Sequence, residues 1–100
     1  MSDNDQQKQW AFLTNHGNVL LCIACNPESR TRDIAECVGI TERAAQRIVA
    51  DLVSSGYLTV TKHGRRNHYN VNRQGLLRHP LLENLEIGPL VDALPPASRP

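Results

Sequence analysis

The stretch from residue 31 to residue 55, TRDIAECVGITERAAQRIVADLVSS, constrains the fold of this 100-residue chain more than any other. Small Ala35 allows two helices to pack closely, and Gly39 permits the positive φ of a tight turn. Apolar side chains recur on both sides of that turn at helical spacing. They are Ile34, Val38, Ile40, Ala45 and Ile48. The pattern predicts a helix-turn-helix, with one helix over about 31–38 and a second that follows a Thr41 cap and ends before Gly56.

Two further patterns flank this motif. Residues 8–24 place apolar side chains on one helical face with Gly17 as a weak point, so we expect one helix or two shorter ones. Asn26-Pro27 ends that helix, and Ser29 or Thr31 is expected to cap the next. Downstream, residues 57–62 and 67–71 read as strands joined by a turn at 63–66, which predicts a β-hairpin.

A helix-turn-helix followed by such a hairpin is a winged helix. We therefore expect an α+β fold, mainly α: a winged helix-turn-helix with a three-helix core and a β-hairpin wing over residues 8–80. A short C-terminal helical tail follows at 81–94, divided at Gly88-Pro89 into two pieces. Residues 1–7 and 95–100 are expected to be disordered. The length suits one core and leaves no room for a separate cofactor domain.

The net charge of +1 conceals one strongly basic segment. Residues 61–79 contain five lysines and arginines and no acid. Residues 1–60 contain five such bases against seven acids, and residues 80–100 one against three. A basic surface confined to one segment is typical of a small protein that contacts nucleic-acid phosphates.

The second motif helix keeps a polar face whose residue types can read base edges. Arginine can bridge guanine O6 and N7, and glutamine can pair with adenine, each contact discriminating by about 1–3 kcal/mol. Glu42 either accepts from cytosine N4 or only complements the helix dipole. The alternative for the whole face is ordinary solvated surface. The predicted recognition-helix residues are Thr41, Glu42, Arg43, Gln46 and Arg47.

Two other segments are candidates for contact with the DNA backbone. The hairpin turn is basic and suits the minor groove or the phosphates, although the same charges could simply protect an exposed strand edge. The start of the first motif helix offers hydroxyls, N–H groups and positive charge to a phosphate, or serves only as a cap. The wing residues are Lys62, His63, Arg65, Arg66, Asn67 and His68, and the phosphate-contact residues are Ser29, Arg30, Thr31 and Arg32.

The three cysteines do not form a convincing metal or catalytic motif. Cys22 and Cys25 share a helical face, but no second pair completes the four ligands of a zinc site. Among apolar neighbours they and Cys37 are expected to be small buried hydrophobes. We predict no metal, no cofactor and no enzyme activity, because no catalytic constellation is present. A thiol- or metal-responsive regulator is a less favoured alternative.

The termini and the thiols bear on location. The N-terminus lacks the basic start and apolar run of a signal peptide, and no run of about 18 apolar residues could span a membrane. An odd number of cysteines without an export signal favours a reducing compartment. We expect a cytoplasmic protein with no membrane contact.

The segment DIAECVGITERAAQRIVADLVSSGYLTVTKHGRRNHYNV resembles the core of prokaryotic winged helix-turn-helix transcriptional regulators of the MarR and ArsR type. The chain is also similar to small single-domain members that begin Trp-x-Phe-Leu-Thr-Asn-His, seen here at residues 10–16. The resemblance covers about residues 8–80 and implies that residues 41–47 form the recognition helix and residues 62–68 the wing. The Cys-x-x-Cys lies one helix earlier than the Cys-x-Cys of ArsR-type metal sensors. The long terminal helices of MarR-type proteins are missing, so no small-molecule effector is inferred.

We therefore predict a sequence-specific regulator that binds double-stranded DNA as a homodimer on a pseudo-palindromic operator. Two-fold pairing doubles the few base pairs that one recognition helix can cover. The alternative is a winged-helix protein–protein interaction module that does not bind DNA. The expected dimer interface is formed by the apolar ends of the chain, with Trp10, Leu13, His16, Leu82, Leu85 and Leu90.

Overall fold

The computed structural model describes residues 12–78, 80–82 and 84–94. Three helices come first: α1 (Asn15–Cys25), α2 (Thr31–Val38) and α3 (Glu42–Ser54). A hairpin of β1 (Leu58–His63) and β2 (Arg66–Val71) follows, and then a 3-10 turn (Pro80–Leu82) and a short helix, α4 (Gly88–Asp92). The described chain is thus a small α+β domain, mainly helical, with a two-stranded antiparallel sheet, which confirms the expected class.

The first helix begins later than its apolar pattern predicts. Thr14 has an extended backbone, and its hydroxyl accepts a hydrogen bond from the Gly17 N–H at 3.2 Å. This cap starts the helix at Asn15, so a helix running through residues 12–14 is wrong, and Gly17 lies in the first turn. Residues 8–11 and the arm expected at 1–7 lie outside the described residues.

The turn between α2 and α3 has the geometry that its glycine predicts. Gly39 has φ +86°, and its N–H donates to the Ala35 carbonyl at 2.8 Å. The Thr41 hydroxyl accepts from the Ala44 N–H at 3.0 Å and caps α3, as expected. A left-handed residue at the end of one helix and a capped start of the next hold the two helices in a fixed relation.

The cap of α2 differs from the prediction. The Arg30 N–H donates to the carboxylate of Asp33 at 3.2 Å, while Ser29 turns its hydroxyl back to the Asn26 carbonyl at 2.8 Å. Thr31 is already the first helical residue. The expected cap by Ser29 or Thr31 is therefore wrong, because Arg30 is the N-cap residue and the acid three residues later accepts from its N–H.

The hairpin is tighter than predicted. Its register pairs Leu58 with Val71 and extends to the pair His63–Arg66, so only Gly64 and Arg65 form the loop. Gly64 has φ +64°, and no non-glycine residue among those described has positive φ. Glycine at the first of two loop residues suits a II′ turn, whose twist matches that of the strands.

All three long helices, the hairpin and the tail contribute to one core. The buried cluster contains Val19, Leu20, Ile23, Ile34, Ala35, Ala45, Ile48, Leu52, Leu58, Tyr69 and Ile87. On α1 and α3 the members recur three and four residues apart, which is the spacing of one helix face, and α2 adds the neighbours Ile34 and Ala35. The hairpin adds Leu58 and Tyr69, so this core fixes how the hairpin lies against the helices.

The tail returns to the domain through backbone hydrogen bonds. The Ile87 N–H donates to the Gly75 carbonyl at 2.8 Å, and the Gly88 N–H donates to the Arg73 carbonyl at 2.9 Å. Arg73 also donates to the Asp92 carboxylate at 2.7 Å, and this hydrogen bond raises the pKa of the Arg73 guanidinium. The two expected helical pieces are the 3-10 turn and α4, with Gly88-Pro89 at the start of the second.

Within the described residues, no helix has both the length and the apolar character needed to cross a membrane.

Candidate nucleic-acid interface

The outer face of α3 presents the polar side chains that the sequence singles out. Ala45, Ile48 and Leu52 are buried on the inner face. The residues predicted to read DNA are exposed on the other side. Within the described part of the chain, the side chains of Arg43, Gln46 and Arg47 make no hydrogen bond or ion pair. Three donor-bearing side chains on one exposed helix face are therefore available to a ligand.

The first two predicted reading residues have local structural roles. The hydroxyl of Thr41 caps the helix and accepts a hydrogen bond from the Ala44 N–H at 3.0 Å. Glu42 occupies the first turn of α3, where a carboxylate complements the positive end of the helix dipole. Of the five predicted residues, Arg43, Gln46 and Arg47 are therefore the ones whose side chains have no such local role.

The hairpin turn and the start of α2 come together in one cleft of about 350 Å³. The Tyr69 N–H of β2 donates to the Pro27 carbonyl at 2.9 Å, which holds the loop before α2 along the strand. The cleft is lined by Glu28, Ser29, Arg30, Thr31, Arg65, Arg66, Asn67 and Tyr69. We refer to it as the arginine cleft. Two segments that the sequence suggested as separate phosphate contacts thus share one surface.

The charge of the arginine cleft is positive, with three arginines against Glu28. Arg66 donates to the backbone carbonyl of Glu28 at 3.3 Å. The carboxylate of Glu28 instead lies 3.3 Å from the Nδ1 atom of His68. Exposed guanidinium groups beside a helix N-terminus form a surface that suits an anion such as phosphate. Arg32 is exposed but does not line the cleft.

The remaining wing residues divide into free and engaged side chains. Lys62 is exposed on β1. The rings of His63 and His68 stack with their centroids 5.4 Å apart. Asn67 turns its amide inward, with Nδ2 3.5 Å from the Tyr69 hydroxyl. Of the six predicted wing residues, Lys62 and Arg65 are thus the ones whose side chains make none of these contacts within the described part of the chain.

Glu28 is the cleft residue that sequence reasoning missed. It precedes α2 in a segment read only as a loop, and no local pattern pairs it with His68, forty positions later. An acid directly before a basic helix start is the only signal in the sequence, and it does not identify its partner. The hydrogen bond from the Tyr69 N–H of β2 to the Pro27 carbonyl brings the loop and the strand together, and Glu28 then lies beside His68.

An apolar groove of about 610 Å³ gathers most of the residues predicted for the dimer interface. Leu13, His16, Leu82 and Leu90 line it. His16 is held by Asp51 of α3, with Nε2 2.8 Å from Oδ2. Leu85 is exposed without lining the groove, and Trp10 lies outside the described residues. Core leucines form the floor, among them Leu20 and Leu52.

The cysteines are less buried than predicted. Cys37 is exposed, so the expectation that it is buried is wrong, whereas Cys22 and Cys25 are half-buried and Cys22 packs against the core. On α2 the inward positions are taken by Ile34 and Ala35, which leaves Cys37 on the outer side. Burial raises the pKa of the Cys22 thiol to about 12, with further contributions from Cys37, Cys25 and Asp33. Among the residues described, no group of three or more acids, histidines and cysteines is arranged to hold a metal ion.

Comparison of the chain with protein-family models, with curated proteins and with solved structures finds no match.

Proposed function

We propose that this protein is a sequence-specific, double-stranded DNA-binding transcriptional regulator with a winged helix-turn-helix fold. The observation that carries the proposal is the arginine cleft, in which the start of α2 and the hairpin turn present three arginines together. Most hydrogen bonds between proteins and DNA go to the backbone, and arginines and helix N-termini are typical donors. Anion binding at this cleft would fix the position of the domain on a duplex.

In this proposal, α3 is the recognition helix and supplies the base contacts. Its exposed Arg43, Gln46 and Arg47 have no partner within the described residues and lie in the first half of the helix. That half of a recognition helix enters the major groove in helix-turn-helix proteins. The hairpin is the wing, with Lys62, His63 and Arg65 turned to the minor groove or the phosphates.

We further propose that the protein works as a homodimer, with the apolar groove occupied by a second copy of the chain. Leu76 and Leu82 line this groove while remaining exposed, and exposed Leu85 adjoins it through the hydrogen bond of its carbonyl with Leu77. Contiguous exposed apolar surface marks an interaction site. A two-fold partner is favoured because one α3 alone covers too few base pairs for a specific site.

Selection of bound sequences from duplex DNA with a randomised centre tests this proposal with the full chain. We expect a two-fold symmetric consensus, and an affinity that falls steeply as salt rises because phosphate contacts release counterions. Arg47→Ala should relax the preference at one base position by about 1–3 kcal/mol. Arg65→Ala should weaken binding to all duplexes, or only to A·T-flanked ones. It should also reduce the salt slope, which is the slope of the logarithm of the binding constant against the logarithm of the salt concentration, by about one.

Arg99→Ala provides a charge-matched control near the C-terminal end of the sequence, and it should leave both preference and salt slope unchanged. Equal, sequence-blind losses from Arg47→Ala and Arg65→Ala would contradict the assignment of α3 as the recognition helix. If the chain binds no duplex at low salt, the DNA-binding proposal fails, and the interaction-module alternative takes its place.

A further inference from the structure

Three thiols from two helices line one surface depression of about 600 Å³. Cys22 and Cys25 come from α1, and Cys37 comes from α2. The two helices pack side by side, with Ile23 and Ile34 buried in the common core. Cys37 is exposed to solvent, whereas the other two thiols are half-buried. The depression is therefore lined by one exposed thiol and two half-buried ones.

We propose that this depression is a site of reversible oxidative modification, in which Cys22 and Cys37 form an intramolecular disulfide in exchange with a low-molecular-weight disulfide such as oxidised glutathione. This inference goes beyond DNA binding and does not depend on it. It concerns a face lined by α1 and α2 that shares only Ser29 with the arginine cleft.

The reaction proceeds in two exchange steps. The Cys37 thiolate attacks one sulfur of the small disulfide, whose S–S bond breaks, and one thiolate leaves and takes a proton from water. Cys22 then loses its proton to solvent and attacks the Cys37 sulfur, and the second small thiolate leaves and is protonated. Two protein thiols are oxidised to one disulfide, and one small disulfide is reduced to two thiols.

Accessibility and ionisation both favour this order. Cys37 is the exposed thiol and meets the oxidant first. Burial and the neighbouring Cys37, Cys25 and Asp33 raise the pKa of Cys22 to about 12, which makes it a poor first nucleophile. Once Cys37 is in the mixed disulfide it carries no charge, so it no longer opposes ionisation of Cys22. The first step thus prepares the second.

The shared depression and the influence of Cys37 on Cys22 favour Cys22 over Cys25 as the partner, and the arrangement of the donors favours oxidation over metal binding. Cys22 of α1 and Cys37 of α2 line the same depression, and Cys37 raises the pKa of Cys22 more than Cys25 does. No metal-binding arrangement of three acids, histidines or cysteines exists among the described residues. A bond from Cys22 to Cys37 would enclose the loop between α1 and α2, including Arg30 of the arginine cleft.

The test is disulfide mapping of the full chain after incubation with oxidised glutathione, alkylation of free thiols and trypsin digestion. We expect a cross-linked pair of the peptides 9–30 and 33–43, which dithiothreitol separates. Cys25→Ser should retain this pair, whereas Cys22→Ser and Cys37→Ser should lose it. Since a disulfide that closes a loop of this size constrains the unfolded chain, the oxidised protein should also melt higher, by roughly 10 °C or more.

Three results would overturn the proposal: glutathione retained on Cys37 without a cross-link, a cross-link as complete in Cys22→Ser as in the unchanged chain, or a disulfide mainly between two chains. Cys37→Ser changes an exposed side chain, so its loss of the cross-link does not depend on refolding of the core. The mapping of the unchanged chain needs no variant and no DNA. Its outcome is therefore separate from the success or failure of the DNA-binding proposal.

Discussion

Single residues determine where the helices of this protein begin and end. Gly39 ends α2 in the left-handed region, with φ +86°, and an added Cβ would meet nothing within 4 Å. Glycine is therefore favoured at this position because of its positive φ and not because space is short. Gly17 is the opposite case: it lies within α1, and an added Cβ would only touch Leu13 at an ordinary distance of 3.4 Å.

These two glycines should respond in opposite ways to alanine. Gly39→Ala should lower the free energy of unfolding by about 1–2 kcal/mol, because a Cβ disfavours positive φ. Gly17→Ala should raise it by roughly 0.5–1 kcal/mol, because alanine loses less entropy in a helix. Urea denaturation followed by circular dichroism measures both. A shift of the two midpoints in the same direction would contradict the assigned roles.

At the scale of elements, the tail is part of the fold and not only an appendage. Ile87 is 2% exposed and belongs to the core cluster, while nearby Leu85 is 51% exposed. Backbone hydrogen bonds from Ile87 and Gly88 to the segment after β2 hold this part of the chain in place. Burial of Ile87, directly before α4, thus links the tail to the three-helix core, and Val91 of α4 is buried as well.

Substitution of Ile87 and of Leu85 by alanine should have different effects on stability. Ile87→Ala should destabilise the protein by about 2–5 kcal/mol, because it removes a buried side chain and leaves a cavity. Leu85→Ala should change stability by no more than about 0.5 kcal/mol. Urea unfolding of the full chain measures the difference. Similar small effects from both substitutions would show that the tail does not contribute to the core.

At the scale of the whole molecule, two surfaces have different chemistry. The arginine cleft gathers positive charge from the start of α2 and the hairpin, while the groove gathers apolar side chains from α1, α3 and the tail. In the proposed function the first surface contacts DNA and the second contacts a partner copy. Symmetric pairing through the groove would present two recognition helices to one operator.

This arrangement predicts that a charge in the groove dissociates the dimer. Leu82→Glu should shift the protein toward monomer and reduce affinity for a two-fold DNA site by about tenfold or more, since a buried carboxylate opposes pairing. Val53→Glu is the matched control, because Val53 is 37% exposed outside the groove and Leu82 is 40% exposed within it. Sedimentation equilibrium measures the mass. A monomeric unchanged chain would rule out the groove as a dimer interface.

The sequence alone determined the elements whose signals are local. The helix α2, the turn at Gly39, the Thr41 cap and the hairpin follow from apolar spacing, from a glycine that must take positive φ and from alternating β-branched residues. These features depend on neighbours within a few positions, so the pattern was sufficient to predict them. Thr14 carried a similar local signal, but the apolar face that continues through it obscured the start of α1.

Only the tertiary structure decided which distant residues meet. The start of α2 lies beside the hairpin because the Tyr69 N–H donates a hydrogen bond to the Pro27 carbonyl, and Glu28 contacts His68. Among the apolar residues of the tail, Ile87 belongs to the core cluster, and Cys37 is exposed at the surface. Helical and strand periodicity reports which side of an element is apolar. It does not report which element covers that side, because the burial of apolar surface depends on how all elements of the chain pack together.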